Sequence, residues 1–391
     1  MAIPTATVRL KKDLERSLRA GHPWIYADAL EPARISTGAV VDVISRGRFV
    51  ARGLYDARSP IAVRVATLDP AELVDEGFVR ARLDSALRAR RGAIDAGQTD
   101  AFRWMNGEGD FLPGVVVDVY AEVAVLRLDG DAVRAWRPWL ITAIAEAGRP
   151  LGIRHLYERS RGGKGEALFG GAPPSPIEIR ESGVRFAVDV AHGQKTGFFL
   201  DQRENRRAIR PFAGGEAVAN LFGYTGGFSV HAALAGAREV VTVDSAEGAL
   251  AQARANFRLN RLDPERHRFA CEDAFAWLAR ARDEGRRYGL VITDPPSFAP
   301  SEKSLKKALA AYRDLNALAL SVVAPEGVLA AASCSSHVNH EAFLGSLRDA
   351  AEKARRPLRV LEVRGQPADH PTTPAFPEGR YLKFVLCRAA G

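Results

Sequence analysis

Short apolar runs separated by turn residues open the chain. Residues 5–10, 39–44, 49–55 and 61–67 read as β-strands, punctuated by Gly38, Arg46-Gly47 and Ser59-Pro60, and strands at this spacing predict a small barrel. A helical stretch follows over 78–94, with Leu83 and Leu87 four apart. Strand patterns return at 115–120 and 123–128, then a helix over 132–147 and strand-like 153–158 and 184–190, which predict an α+β unit. Beyond residue 190 the periodicity switches repeatedly: strand 217–221, helix from Ser229, strand 240–243, helix from Ala246, strand 269–271, helix 274–281, strand 290–293. That is the rhythm of a doubly wound α/β sheet. A long helix follows with Leu305, Leu309, Tyr312, Leu315 and Leu318 on one stripe and Lys303, Lys306 and Lys307 off it. The sheet resumes at 328–332, and 358–363 with 381–387 read as a hairpin-like pair around a Pro-rich loop, so one antiparallel strand is expected near the edge. The predicted domains are 1–72, 73–189 and 190–391.

Composition narrows the class. The 391 residues are 47% hydrophobic and 26% charged, as in an ordinary globular protein. No leader-like segment and no run of about eighteen apolar residues is visible, so a cytoplasmic protein without a membrane span is expected. The three cysteines, Cys271, Cys334 and Cys387, have neither disulfide nor zinc-ligand spacing, which fits a reducing cytosol and predicts no metal. Cys271 and Cys387 lie in apolar strand-like runs and read as core. Net charge is +8, and residues 1–68 contribute +5 of it, with 11 Lys and Arg against 6 Asp and Glu. A polyanion is the natural partner, and Gly21-His22-Pro23-Trp24-Ile25-Tyr26 adds aromatic rings suited to stacking on single-stranded RNA. Trp24 reads equally well as a core anchor. Charge alone does not separate RNA binding from simple solubility.

The segment Asn220-Leu221-Phe222-Gly223-Tyr224-Thr225-Gly226-Gly227-Phe228-Ser229 places a glycine-rich turn after a strand, and Asp244 ends the next strand 21 residues beyond Gly223. Glycines allow a ligand to approach the backbone closely, and a strand-end carboxylate can accept from ribose hydroxyls. The turn does not match G-x-G-x-x-G, so a diphosphate ligand is disfavoured. Asp273, after the following strand, can bind an adenine amino group and complete the pattern expected for S-adenosylmethionine, or it can cap the helix that starts at Ala274.

Two further motifs each follow a strand-like run: Asp294-Pro295-Pro296-Ser297-Phe298 and, about forty residues later, Ser333-Cys334-Ser335-Ser336. Together with Gly21–Ile25, Asn106-Gly107-Glu108-Gly109-Asp110-Phe111-Leu112-Pro113-Gly114 and Gly193-Gln194-Lys195-Thr196-Gly197-Phe198-Phe199-Leu200-Asp201-Gln202-Arg203, they give the chain a family likeness over nearly its whole length. It resembles the bacterial 23S ribosomal RNA cytosine-C5 methyltransferases of the single-cysteine type. The resemblance implies a PUA domain, a central α+β domain and a Rossmann-like methyltransferase domain with a seven-stranded, mostly parallel sheet. It also implies S-adenosylmethionine as methyl donor, with Phe199, Asp201, Phe222, Asp244, Asp273 and Asp294 near it, beside Gly223, Tyr224, Thr225, Gly226 and Phe228 of the turn. The implied partner is 23S rRNA; a homodimer is compatible with the sequence.

Cytosine C5 is too weak a nucleophile to take a methyl group unaided, so a thiolate must first add at C6. Cys334 at a strand end is the expected nucleophile, against the alternative of a buried structural cysteine. The two prolines fix the loop that presents Asp294, the expected acid or electrophilic stabiliser at N3 and the exocyclic amine. Phe298 reads as a stacking ring or as loop packing, and His192 as a polar loop residue rather than an RNA contact. A base that removes the C5 proton and the group that assists the thiolate are not legible. A guanine-N2 RNA methyltransferase needs no nucleophile, a small-molecule methyltransferase gives the basic barrel no purpose, and a non-catalytic RNA-binding or assembly factor does not need Asp244, Asp294 and Cys334.

Overall fold

The computed structural model describes residues 6–160, 165–193, 195–299 and 301–391; Thr5 of the first expected strand and Gln194 lie outside the described residues. The chain divides into two compact units. The first holds Met1–Ser182, Val188–Leu200 and Ala368–Gly379, the second Gly183–Ala187, Asp201–Pro367 and Arg380–Gly391.

In the first unit, β1 (Ala6–Arg9), β2 (Trp24–Tyr26), β3 (Val40–Ser45), β4 (Arg48–Tyr55) and β5 (Ile61–Thr67) form one sheet in the order β1-β3-β4-β5-β2, with helix α1 over Glu15–Arg19. Alternation in β3 buries Val41 and Val43 against Val8, Ile25, Ala51 and Val63. Helix α2 (Glu76–Arg91) begins at Asp75, whose side chain accepts from the Phe78 N–H at 3.0 Å, and buries Phe78, Val79, Leu83, Ala86 and Leu87. With α3 (Arg137–Gly148) it packs in the core of a second sheet made of β6 (Ala101–Asn106), β7 (Val115–Tyr120), β8 (Val123–Leu128), β9 (His155–Glu158) and β10 (Glu166–Phe169). The pattern of apolar positions does not predict β2, β6 or β10. β2 is three residues long, and β10 exposes two of its four residues, so neither shows a period.

The Pro-rich segment Ala368–Gly379 is part of this unit's core. Arg90, itself buried and paired with both oxygens of Asp110 at 2.6 Å, donates to the Asp369 carbonyl at 2.8 Å, and Asn106 donates to that of Pro371 at 2.8 Å. A Cβ on Gly109 would stand 1.8 Å from the Pro371 oxygen, so only glycine admits the crossing. Phe376 packs edge-on against Trp24, ring centroids 4.7 Å apart, while the Trp24 indole N–H donates to Glu108 at 2.7 Å. Trp24 is thus an anchor; Tyr26, 41% exposed, is the ring left on the surface.

After β11 (Ile177–Glu181) and β12 (Val184–Val188) the second unit supplies α4 (Arg203–Ala208), β13 (Ala217–Leu221), α5 (Gly227–Leu234), β14 (Glu239–Asp244), α6 (Glu247–Leu259), β15 (Arg268–Cys271) and α7 (Ala274–Asp283). Then come β16 (Tyr288–Thr293), α8 (Leu305–Leu320), β17 (Val323–Ser333), α9 (His340–Ala354), β18 (Leu358–Arg364) and β19 (Lys383–Ala389). Seven strands form one sheet in the order β15-β14-β13-β16-β17-β19-β18. β13 is buried at every position, as expected of a parallel strand covered on both faces. The strand order reverses at β13, with β14 on one side and β16 on the other. That switch point is where α/β sheets bind ligands. β19 runs antiparallel to both neighbours and lies inside the edge strand β18, so the antiparallel strand is second from the edge.

Candidate active site

β13 ends at Leu221 and the backbone turns sharply, with left-handed φ at Phe222 (57°), Tyr224 (47°) and Gly226 (79°). For the two aromatic residues this conformation costs about 1–2 kcal/mol each, so something must hold it. The holding group is Asp244 at the end of β14: its Oδ2 accepts from the Tyr224 N–H at 2.8 Å and its Oδ1 from the Ala246 N–H at 2.9 Å. Beneath the turn, Asn256 donates to the Thr225 carbonyl at 2.9 Å, and Ser229 bonds both Asn220 and Thr242. A Cβ on Gly223 would stand 2.5 Å from Thr242 Cγ2, and one on Gly226 2.9 Å from Ala253 Cβ. The turn is therefore pressed onto β14 and α6, and it requires glycine at both places.

Asp244 uses two of about four carboxylate acceptor positions on the backbone. Two remain for a vicinal diol, which fits a ribose. Asp273 caps α7, accepting from the Ala276 N–H at 2.9 Å, and the residue is exposed at the end of β15. Phe228 is 5% exposed and stacked on Phe384, so only its backbone is available to a ligand. Asp201, buried, accepts from the Tyr381 hydroxyl at 2.7 Å. Phe199 belongs to the first unit, where the Lys195 ammonium lies 4.4 Å from its ring centroid.

Asp294 and Cys334 follow β16 and β17, neighbouring parallel strands in which Thr293 pairs with Ala331. Their loops are tied together by hydroxyl groups. Ser297 Oγ bonds Ser335 Oγ at 2.9 Å, Tyr312 OH bonds Ser335 Oγ at 2.9 Å, and Ser333 Oγ donates to Tyr312 OH at 2.9 Å. Phe298 packs on Tyr312, centroids 4.9 Å apart, which is the loop-packing role. Gln202, quoted in the sequence motif without a role, donates to Asp294 Oδ2 at 2.9 Å and is itself held by Asn205 at 2.6 Å. The other residue that sequence reasoning missed is Lys383. It is fully buried on β19, pairs in register with Ser333, and donates to the carbonyls of Ser335 at 2.5 Å and Tyr381 at 2.7 Å. A single lysine in the apolar run 381–387 gives no signal of this.

The three cysteines occupy three environments. Cys387 is core, as expected, and burial pushes its thiol up to about 11, where it is inert. Cys271 corrects the expectation of core packing: it ends β15, is exposed, and its thiol faces the Ser245 carbonyl at 3.6 Å. Cys334 is half-buried at the strand end.

Residues 108–378 match the family of S-adenosylmethionine-dependent methyltransferases. The chain belongs to that family. Residues 8–68 of this methyltransferase match a PUA-like domain. It is 38% identical to the ribosomal RNA large subunit methyltransferase I of Tolumonas auensis, with 98% of this chain and 100% of the relative covered. To the protein of the same name from Escherichia coli O139:H28 it is 36% identical, over 97% and 98%. Among solved structures, a SAM-dependent methyltransferase from Streptococcus mutans superposes with a TM-score of 0.87 at 24% identity, covering 98% of this chain and all of the other. A methyltransferase solved in complex with SAH superposes equally well, over 99% and 100%. The fold is therefore shared, and S-adenosylmethionine is the cofactor of this methyltransferase.

Proposed function

We propose that the chain methylates C5 of a cytosine in the RNA of the large ribosomal subunit, 23S rRNA, through a covalent bond between Cys334 and C6. The observation that carries the reading is the Ser297–Ser335 bond, which fixes the Asp294 and Cys334 loops side by side at adjacent strand ends. When bound, S-adenosylmethionine supplies an electrophilic methyl group. Cys334 adds to C6 as the thiolate and makes C5 enamine-like; Asp294, oriented by Gln202, hydrogen-bonds N3 and the exocyclic amine and favours charge build-up on the ring. After transfer, loss of the C5 proton expels Cys334. Phe199, Asp201, Phe222 and Asp244 are assigned to the donor, with the backbone of Gly223–Phe228 and, at the adenine, Asp273. Residues 1–72 are assigned to RNA binding, 73–189 to the central domain and 190–391 to methyl transfer. The target base must be unstacked, at a cost of a few kcal/mol, because C5 and C6 are reached only from the face of the ring.

The test is the 23S rRNA of a deletion strain. One 5-methylcytosine should be missing, restored by the wild-type gene and not by Cys334→Ala. Loss of an N2-methylguanine instead would replace this reading with guanine chemistry.

A further inference from the structure

Burying an ammonium group costs several kcal/mol unless a counter-charge and hydrogen bonds compensate. Lys383 is fully buried, yet among the described residues no carboxylate pairs with it; two of its three N–H donors go to the Ser335 and Tyr381 carbonyls. Both its register partner, Ser333, and its acceptor, Ser335, flank Cys334 in sequence. We propose that Lys383 is a positioning residue whose buried ammonium holds Cys334 as the thiolate. This rests on the reading of Cys334 as nucleophile and names the assisting cation that reading needs.

The electrostatics agree. Burial pulls Lys383 down to about 8, and the Cys334 charge acts in the opposite direction, as a counter-ion must. Interaction between two charges is mutual, so a cation that the thiolate stabilises in turn stabilises the thiolate. The other titratable groups around the pair include Tyr312, raised first by burial and further by the Cys334 charge, and His340, lowered first by burial and further by Lys383 and Arg380. Asp294, on the loop tied to that of Cys334, accepts from Gln202, and Asp201 accepts from the Tyr381 hydroxyl. Among the described residues neither carboxylate forms an ion pair with the Lys383 ammonium, whose bonds go to the Ser335 and Tyr381 carbonyls.

The experiment follows the rate of iodoacetamide alkylation of Cys334 against pH in the full chain, with mass spectrometry separating its peptide from those of Cys271 and Cys387. Wild-type Cys334 should ionise at least about one unit below the ordinary thiol value of about 8.5. Lys383→Met should raise that midpoint by about a unit or more, slowing alkylation at pH 7 about tenfold, and should shift the acid limb of kcat/KM upward in parallel. A wild-type midpoint at or above about 8.5 overturns the proposal without requiring any variant to fold. So does a Lys383→Met protein that binds S-adenosylmethionine normally and titrates as wild type. If the midpoint moves as stated but the rRNA lacks no 5-methylcytosine, the cytosine reading fails while the Lys383–Cys334 pairing stands.

Discussion

The turn after β13 is assembled from neighbours in sequence and from backbone: left-handed residues at 222, 224 and 226, glycines where a Cβ would collide, and one carboxylate accepting two N–H groups. The turn after β17 is assembled from side chains that the sequence scatters: Gln202, Ser297, Tyr312, Tyr381 and Lys383 converge around Asp294 and Cys334. A donor that is the same in every turnover is met by a rigid backbone surface. Cys334, the proposed nucleophile, is half-buried among polar side chains, where each hydrogen bond and charge counts for more than in water.

Asp244→Ala should have the largest effect on the first region, because it removes the acceptors proposed for the ribose together with the anchors of a strained turn. With each charge-assisted bond contributing about 1.5–3 kcal/mol, S-adenosylmethionine affinity by calorimetry should fall by on the order of 100-fold or more, with a lower Tm. Undiminished affinity would remove Asp244 from the site.

Gln202→Ala probes the second region. Losing one bond to a carboxylate should lower kcat about tenfold or more while leaving cofactor affinity near wild type. If cofactor affinity fell as far as kcat, the two regions would not be separable and the contrast would collapse.

That contrast also explains what could be read in advance. The strands β13, β14 and β16 were legible because parallel strands buried on both faces are unbroken apolar runs, and the glycine turn because its residues are contiguous. Asp294 and Cys334 stood out through their motifs. Lys383 and Gln202 did not, since their partners lie 48 and 92 positions away and nothing local distinguishes them. Cys271 reads as core because the apolar run Phe269-Ala270-Cys271 looks alike whether its last residue points into a sheet or ends at an exposed edge. The segment Ala368–Gly379 looked like a plain loop because its role depends on Arg90, Asn106 and Gly109.

The smallest effect is expected at the basic N-terminal sheet. Lys11 and Arg16 are exposed and in no ion pair among the described residues, unlike Lys12, which pairs with Asp28, and Arg19, which pairs with Glu15. Lys11→Gln with Arg16→Gln should weaken RNA binding and flatten its salt dependence by roughly 0.7–0.9 in log–log slope for each phosphate no longer neutralised, leaving cofactor affinity unchanged. An unaltered slope would mean that RNA binds elsewhere on the molecule.

The central claim, covalent catalysis by Cys334, is tested most directly with RNA carrying 5-fluorocytosine at the target position. Methyl transfer should proceed, but fluorine at C5 cannot leave as a proton does, so a Cys334–RNA adduct should accumulate and survive denaturing electrophoresis. Cys334→Ala should give neither adduct nor turnover while binding S-adenosylmethionine normally, and Asp294→Asn should slow both steps. Methylation of unmodified RNA by Cys334→Ala at a rate near wild type would contradict the account.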